Sequence, residues 1–293
     1  MRFCFIVESK YRNESMPIVV AHQLVNWGHD VDLLEPQTSI INLSDVMRAG
    51  YDAYVLKTMS DGPGLSILEA AEAAGIPTIN QAHAIRQVRD KAVAITRALA
   101  YGLPVPRTYF VPYPGSLAQV PEIDYPIVVK PTNGSSGRGI YKLNSPSDLS
   151  TLHIDEAGNS YFLAQHYVEN SNFDIKLYVV GTHISAVAKR SPLHSDVEVE
   201  KHRIPVSLEL RNLAIHVGNV FGLDIYGLDV VENPNGPVVV DINDFPSFGY
   251  VPDAATLVAA HIIEVASHRV ARHLSDAPTA RLTGIPDEIA IPA

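Results

Sequence analysis

The first 80 residues alternate short apolar runs with longer amphipathic ones, and that rhythm restricts the fold more than any other feature. Arg2–Glu8 (RFCFIVE) reads as a buried strand, Met16–Trp27 as a helix and Asp30–Leu34 as a second strand. Tyr51–Lys57 is a third strand, Gly64–Ala74 a helix and Gly75–Asn80 a short strand. Strands separated by helices imply βαβ units and a parallel sheet with helices on its faces. In such sheets ligands sit at the carboxyl ends of strands. Lys57, and Lys10 in the polar turn after Glu8, fall at such ends.

The pattern then changes. Ala84–Gly102 reads as one helix with Lys91 in its middle, ended by Gly102 and Pro104. Antiparallel-type strands follow: Arg107–Val111, Pro126–Lys130, Gly139–Leu143, Tyr161–Tyr167, Asp174–Val180 and Thr182–Ala188. A helix, Ser207–Phe221, leads into a hairpin, and a last helix, Ala254–Leu274, precedes a tail, Ser275–Ala293, expected to be loosely ordered. Junctions near Asn80–Ala84 and Asn159–Tyr161 divide the chain into units of 1–82, 83–160 and 161–293, the last with its tail from about 275.

Composition removes several classes of function. The chain carries 22 basic and 32 acidic residues, a net charge of −10, so a general grip on nucleic-acid phosphates is not expected. Cys4 is its single cysteine, which excludes an internal disulfide and a cysteine-based zinc site. The 12 histidines form no H-x-x-x-H or H-E-x-x-H arrangement, and no G-x-S-x-G occurs. No apolar stretch approaches the roughly 20 residues needed to span a bilayer, and no signal peptide is visible. A cytoplasmic protein without membrane partners is the expectation, and a homo-oligomer is compatible with it.

The hairpin carries the strongest chemical signal. In GLDVVENPNGPVVVDIND (Gly227–Asp244) the turn Asn233-Pro234-Asn235-Gly236 separates two β-branched runs. Centred on Asn235, the pairing sets Asp229 opposite Asp241, with Asn243 on the same face. Leu228, Val230, Val238, Val240 and Ile242 would point into the core. Opposed carboxylates repel unless a cation lies between them. Two carboxylates and an amide oxygen make a hard, all-oxygen site suited to Mg²⁺. The alternative is a solvated hairpin face with two unrelated acids.

Three further segments carry chemistry. PIVVKPTNGSSGRGIYKL (Pro126–Leu143) is a strand ending in Lys130, a glycine-rich loop and a returning strand. Its glycines let backbone N–H groups approach an anion, although it is neither a Walker A loop nor a dinucleotide fingerprint. In YFLAQHYVENSNFDIKLYVVG (Tyr161–Gly181), Gln165–Val168 can present backbone and apolar surface to a flat base, while Asp174 and Lys176 share a strand face. Read alone, these are ordinary core strands with a solvated Asp–Lys pair, and His166 and His183 are structural. Lys189-Arg190 closes the next strand, where an arginine on a pocket wall can hold phosphate bidentately.

In this order the segments resemble the ATP-grasp superfamily over nearly the whole chain. The resemblance implies an α/β fold in which an N-terminal parallel-sheet domain precedes two lobes clasping ATP. It makes Lys91 (RDKAVAI) and Lys130 (VVKPTNGSSGRG) the phosphate-holding lysines and Gly134, Ser135, Ser136 and Gly137 the lid. Gln165, His166, Tyr167 and Val168 match the adenine hinge, with Asp174 beside it, and Asp229, Asp241 and Asn243 match the metal ligands. The implied cofactors are ATP and Mg²⁺, with Mn²⁺ as an alternative.

Two branches differ in chemistry. RimK-like carboxylate–amine ligases carry Glu-x-Asn-x-x-Pro-Gly and Asp-x-Arg, where this chain has Asp241-Ile-Asn243-Asp-Phe245-Pro246 and Asp174-Ile-Lys176. The wording FDIKLYVVG, AKRSPL and DINDFPSF is more similar to inositol trisphosphate kinases, although Arg138 stands near their loop histidine, and Ser247-Phe248 replaces Gly-Tyr. That resemblance implies Lys176 and Arg190 at the transferred phosphoryl, and Lys10, Lys57, Arg138 and Ser247 at a small-molecule acceptor. The leading expectation is a kinase of a polyol, sugar or inositol-type hydroxyl. A carboxylate–amine ligase is second, and a non-catalytic nucleotide-binding domain third.

Overall fold

A computed structural model describes residues 1–13, 15–58, 62–132, 139–152, 161–169, 173–191, 193 and 201–276. The N-terminal rhythm folds as β1 (Arg2–Val7), α1 (Ser9–Arg12), α2 (Ser15–Asn26), β2 (Asp30–Leu34), α3 (Leu43–Arg48), β3 (Ala53–Lys57), α4 (Gly64–Ala73) and β4 (Thr78–Ile79). The strands pair in parallel in the order β2-β1-β3-β4. β1 is buried on both faces, as a strand between helix layers must be. Its Phe3, Phe5 and Val7 pack with Val20 and Leu24 of α2, while Cys4 and Ile6 pack with Leu65 and Leu68 of α4. The short helices α1 and α3 have too few apolar positions to show as periodicity.

The helix expected over 84–102 is two helices, α5 (Ala82–Arg89) and α6 (Lys91–Ala100). Asp90 breaks it: its backbone is extended, and its carboxylate accepts from the N–H groups of Ala92 and Val93, both at 3.1 Å. A side-chain cap satisfies donors that a new helix would otherwise leave unpaired, and typically contributes about 1 kcal/mol. Lys91 is thereby the first residue of a helix rather than the middle of one.

An antiparallel sheet of β5 (Thr108–Val111), β6 (Ile127–Pro131), β7 (Tyr141–Leu143) and β8 (Phe162–His166) follows, in the order β5-β8-β6-β7. The largest sheet holds β9 (Phe173–Val180), β10 (His183–Arg190), β11 (His202–Ile204), β12 (Ile225–Asn233) and β13 (Gly236–Asn243), ordered β11-β10-β9-β12-β13. α7 (Leu208–Phe221), capped by the Ser207 hydroxyl and closed by Gly222 at φ 70°, covers one face of it together with α6. α8 (Ala254–Asp276) takes in the first two residues of the expected tail. Its Val258 and Ile262 join the cluster of Phe3 and Phe5, with Tyr178 and Val180 of β9. Fully burying such a side chain contributes about 1.5–3 kcal/mol, so this shared cluster binds the first sheet firmly to the largest.

Among the described residues no helix is long and apolar enough to cross a membrane.

Candidate functional site

The hairpin delivers the opposed acids by a route the sequence does not reveal. Its turn is a two-residue loop, with Asn233 paired to Gly236, and not a turn centred on Asn235. The Asn233 side chain accepts from Asn235 N–H at 2.7 Å, and Gly236 adopts φ 114°. Continued unbroken, that register would set Asp229 opposite Val240. Between Asp229 and Val230 the register shifts by one residue, and Asp229 faces Asp241. A bulge leaves its extra residue out of the ladder. Here that residue is Val240, whose carbonyl accepts from the Lys130 ammonium at 2.8 Å.

The bulge also corrects the expected core. Val239 packs inside with Leu228 and Val230, while Val240 lines the cavity next to Asp241.

Neighbouring strands supply the cations. Lys176 stands opposite Asp229 in the β9–β12 register and meets its Oδ2 at 3.2 Å. Lys189 of β10 approaches Oδ1 at 3.3 Å. Burial alone would raise the Asp229 carboxyl, but the Lys176 and Lys189 ammoniums outweigh it and hold it below the ordinary carboxylate value. Asn243 donates to the same Oδ2 at 3.3 Å, and Lys91 reaches Asp241 at 3.1 Å from the start of α6. Burial pushes the Lys130 ammonium down to about 8; Asp241 opposes that shift and Lys91 adds to it.

These groups line a cavity of about 330 Å³ between the two antiparallel sheets. Gln165, His166, Tyr167 and Val168 form part of its wall, and Val128, Ile140, Val231 and Val240 make much of the rest apolar. Gln165 is buried and donates to the Thr108 hydroxyl at 3.0 Å. His166 is tied through its ring to the Asp124 carbonyl at 2.9 Å, and the Lys142 ammonium lies 3.5 Å from the Tyr167 ring centre. A flat apolar slot running into a cluster of ammoniums and carboxylates suits a ligand with an aromatic base at one end and phosphates at the other.

The RimK-like ATP-grasp domain family matches residues 88–266. The chain belongs to this family. A probable alpha-L-glutamate ligase of Haemophilus influenzae (strain PittEE) is 27% identical over 268 residues, covering 81% of this chain and 89% of that one. The solved RimK domain ATP-grasp protein of Sphaerobacter thermophilus superposes with a TM-score of 0.69 at 18% identity, over 90% of this chain and 100% of that one. The ATP-grasp ligase PsnB, solved with minimal precursor, Mg and ADP, gives 0.68 at 17% identity, over 90% and 97%. These likenesses support the two-lobed ATP-grasp fold, and the matches as a whole favour ligase chemistry over the kinase reading. The kinase-like wording of β9, β10 and β13 lies inside the stretch that the RimK-like match covers.

In this RimK-like chain the cavity gathers Lys91, Lys130, the hinge, Asp174, Lys176, Asp229, Asp241 and Asn243. It does not gather Lys10, Lys57 or Ser247. The Lys57 ammonium is bonded to the Phe245 carbonyl and lies 4.8 Å from the Tyr11 ring centre, with Lys10 5.5 Å from the same ring. Ser247 is exposed. Gly134, Ser135, Ser136, Gly137 and Arg138 lie outside the described residues, as does the Arg190 side chain. Lys189 and Ser191 are lining residues that the sequence reading did not select. Strand parity was the available signal for Lys189: it pairs with Asp174, two residues from Lys176, and so shares the sheet face of Lys176 and Asp229.

The donor set fits a divalent cation. Asp229 Oδ1 is buried without a hydrogen bond, its contact with Lys189 being an ion pair only. A buried carboxylate oxygen without a hydrogen bond, beside a second carboxylate, is what a hard cation would satisfy. Among the described residues no group of three or more His, Cys, Asp or Glu side chains is placed to hold a metal, so the amide of Asn243 would complete the set.

Proposed function

We propose that this RimK-like protein is an ATP- and Mg²⁺-dependent carboxylate–amine ligase. The observation that carries the proposal is the convergence of four lysines with Asp229 and Asp241 in the cavity of a chain with this family match. ATP transfers its γ-phosphoryl group to a substrate carboxylate, giving an acyl phosphate and ADP. An amine then attacks the acyl carbon, phosphate leaves with the C–O electron pair, and the amine's proton passes to solvent.

In this reading Gln165–Val168 receive the adenine, with Asp174 beside them, and Lys91 and Lys130 hold the phosphates. Asp229, Asp241 and Asn243 hold Mg²⁺, or Mn²⁺ in its place, which when bound supplies divalent charge against the phosphate oxygens. Lys176, Lys189 and Arg190 face the transferred phosphoryl group. Cations preorganised at developing charge are the largest usual source of rate enhancement, so removing one is expected to cost about 10²–10³ in turnover. Gly134, Ser135, Ser136 and Gly137 are assigned to the ATP phosphates, and Lys10, Lys57, Arg138 and Ser247 to the acceptor. The units 1–82, 83–160 and 161–293 serve as N-terminal αβ domain, small lobe and large lobe.

The test is the fate of labelled γ-phosphate with candidate carboxylates and amines. Free phosphate formed in step with an amide product, and only when an amine is supplied, is the expected result. Label that stays on a stable phosphorylated alcohol, without an amine requirement, would establish the kinase chemistry instead.

A further inference from the structure

We infer that Arg89 is a positioning residue for the metal end of the site, acting through Asp244. This rests on the reading of Asp229, Asp241 and Asn243 as metal ligands. Arg89 closes α5, and its guanidinium meets Asp244 in a two-point fork, Nε to Oδ1 at 3.2 Å and Nη2 to Oδ2 at 3.0 Å. Two further N–H groups bond the Thr58 hydroxyl at 3.1 Å and its carbonyl at 3.0 Å, just beyond β3. The fork is 8% exposed on the arginine and 15% on the aspartate, and neither side chain lines the cavity.

Position matters more than strength here. Asp244 directly follows Asn243, and its carbonyl accepts from the Asn80 amide at 2.5 Å. Two residues beyond Arg89, Lys91 is paired with Asp241. The α5–α6 junction therefore holds the end of β13 on both sides of Asn243. The two holds are not equivalent. Lys91 stands in the cavity, and an ammonium that turns to a phosphate releases Asp241. Arg89 stands outside it and keeps its grip whichever ligand is bound. A planar bidentate fork also fixes direction, which a lysine's point charge does not. Asn243 is thus set by Arg89 when Asp241 exchanges its ammonium for a metal.

The experiment compares calorimetric binding of Mg·ADP with that of ADP in EDTA. Arg89→Lys and Asp244→Asn should weaken Mg·ADP by about 10–100-fold, the range for groups that orient metal ligands, and leave metal-free ADP within about twofold. A double variant, Arg89→Met with Asp244→Leu, leaves no buried charge unpaired, and should fold and show the same selective loss. Equal losses for both ligands, or no loss, would overturn the inference. Asn243→Ala separates the two levels. If it abolishes the Mg²⁺-dependent gain while the Arg89 and Asp244 variants keep it, only the positioning role fails. If Asn243→Ala keeps the gain, the metal reading fails and the positioning role with it.

Discussion

Two ammoniums on one buried carboxylate make a prediction about additivity. Lys176 and Lys189 stand 3.2 and 3.3 Å from opposite oxygens of Asp229. At an effective dielectric of about 20, each contact is worth about 5 kcal/mol of direct attraction. Two ammoniums sharing one carboxylate also repel each other, which offsets part of that attraction. Each has in addition given up hydration to enter the wall. Replacing either lysine by methionine therefore removes an attraction, a repulsion and a desolvation together, and the net cost falls to about 1 kcal/mol. Replacing both leaves Asp229 buried and unpaired, at a cost of about 3–5 kcal/mol, or forces it to take up a proton.

The assay is urea unfolding of wild type, Lys176→Met, Lys189→Met and the double variant, in EDTA without nucleotide. The double variant should lose at least about 1 kcal/mol more than the two singles summed, beyond the few tenths expected of independent sites. Adding Asp229→Asn to the double variant should recover most of that excess, because an amide needs no counter-charge. Strict additivity would refute the shared carboxylate, as would an Asp229→Asn substitution that recovers nothing.

Other perturbations test the frame around the site. Asn80 is buried, accepts from the N–H groups of Asp224 and Ile225 at 2.8 and 2.7 Å, and donates to the carbonyls of Ile225 and Asp244 at 2.7 and 2.5 Å. Asn80→Ala leaves these backbone groups unpaired and should cost about 3–5 kcal/mol by chemical denaturation. Asp90→Ala removes the α6 cap and should cost about 1 kcal/mol, read as a lowered Tm. Lys130 has a folded-state value near 8 against an ordinary 10.5, so from pH 8 to 10.5 the unfolded chain binds more protons than the folded one. The burial penalty is full below pH 8 and is lifted as pH rises through that window, so Lys130 adds to stability there. ATP affinity should run the other way, falling above pH 8 as the ammonium loses its charge; calorimetry across that range checks both trends against Lys130→Met, which should show neither.

How far this site can be read from the chain depends on which relationships are local. Asp229 facing Asp241 was legible from turn residues and strand alternation, yet the reasoning behind it was incomplete. The true turn is one half-step shorter than a centre at Asn235 implies, and the bulge at Val240 restores the facing pair. Alternation cannot detect that bulge, because Val238, Val239 and Val240 are the same residue and any of them can be the extra one. What singles out Val240 is Lys130, 110 positions earlier, whose ammonium takes up the carbonyl that the bulge frees.

The same holds for the cations. Lys189 and Arg190 are adjacent on one strand, and only the β9–β10 register says which shares the face of Lys176. The arginine looked the better phosphate ligand by chemistry, and the lysine is the one brought to Asp229. Asn80 and Arg89 left no motif at all, since the partners of Asn80 lie 144 to 164 positions away, Asp244 lies 155 from Arg89, and an Asn or Arg at the end of an element is unremarkable in itself. The residues that contact ligand in an ATP-grasp site carry their chemistry in their type, so they surface in a sequence. Those that aim them carry it in partners the fold supplies, and Arg89 beside the legible Lys91 divides the two kinds within three residues of one helix junction.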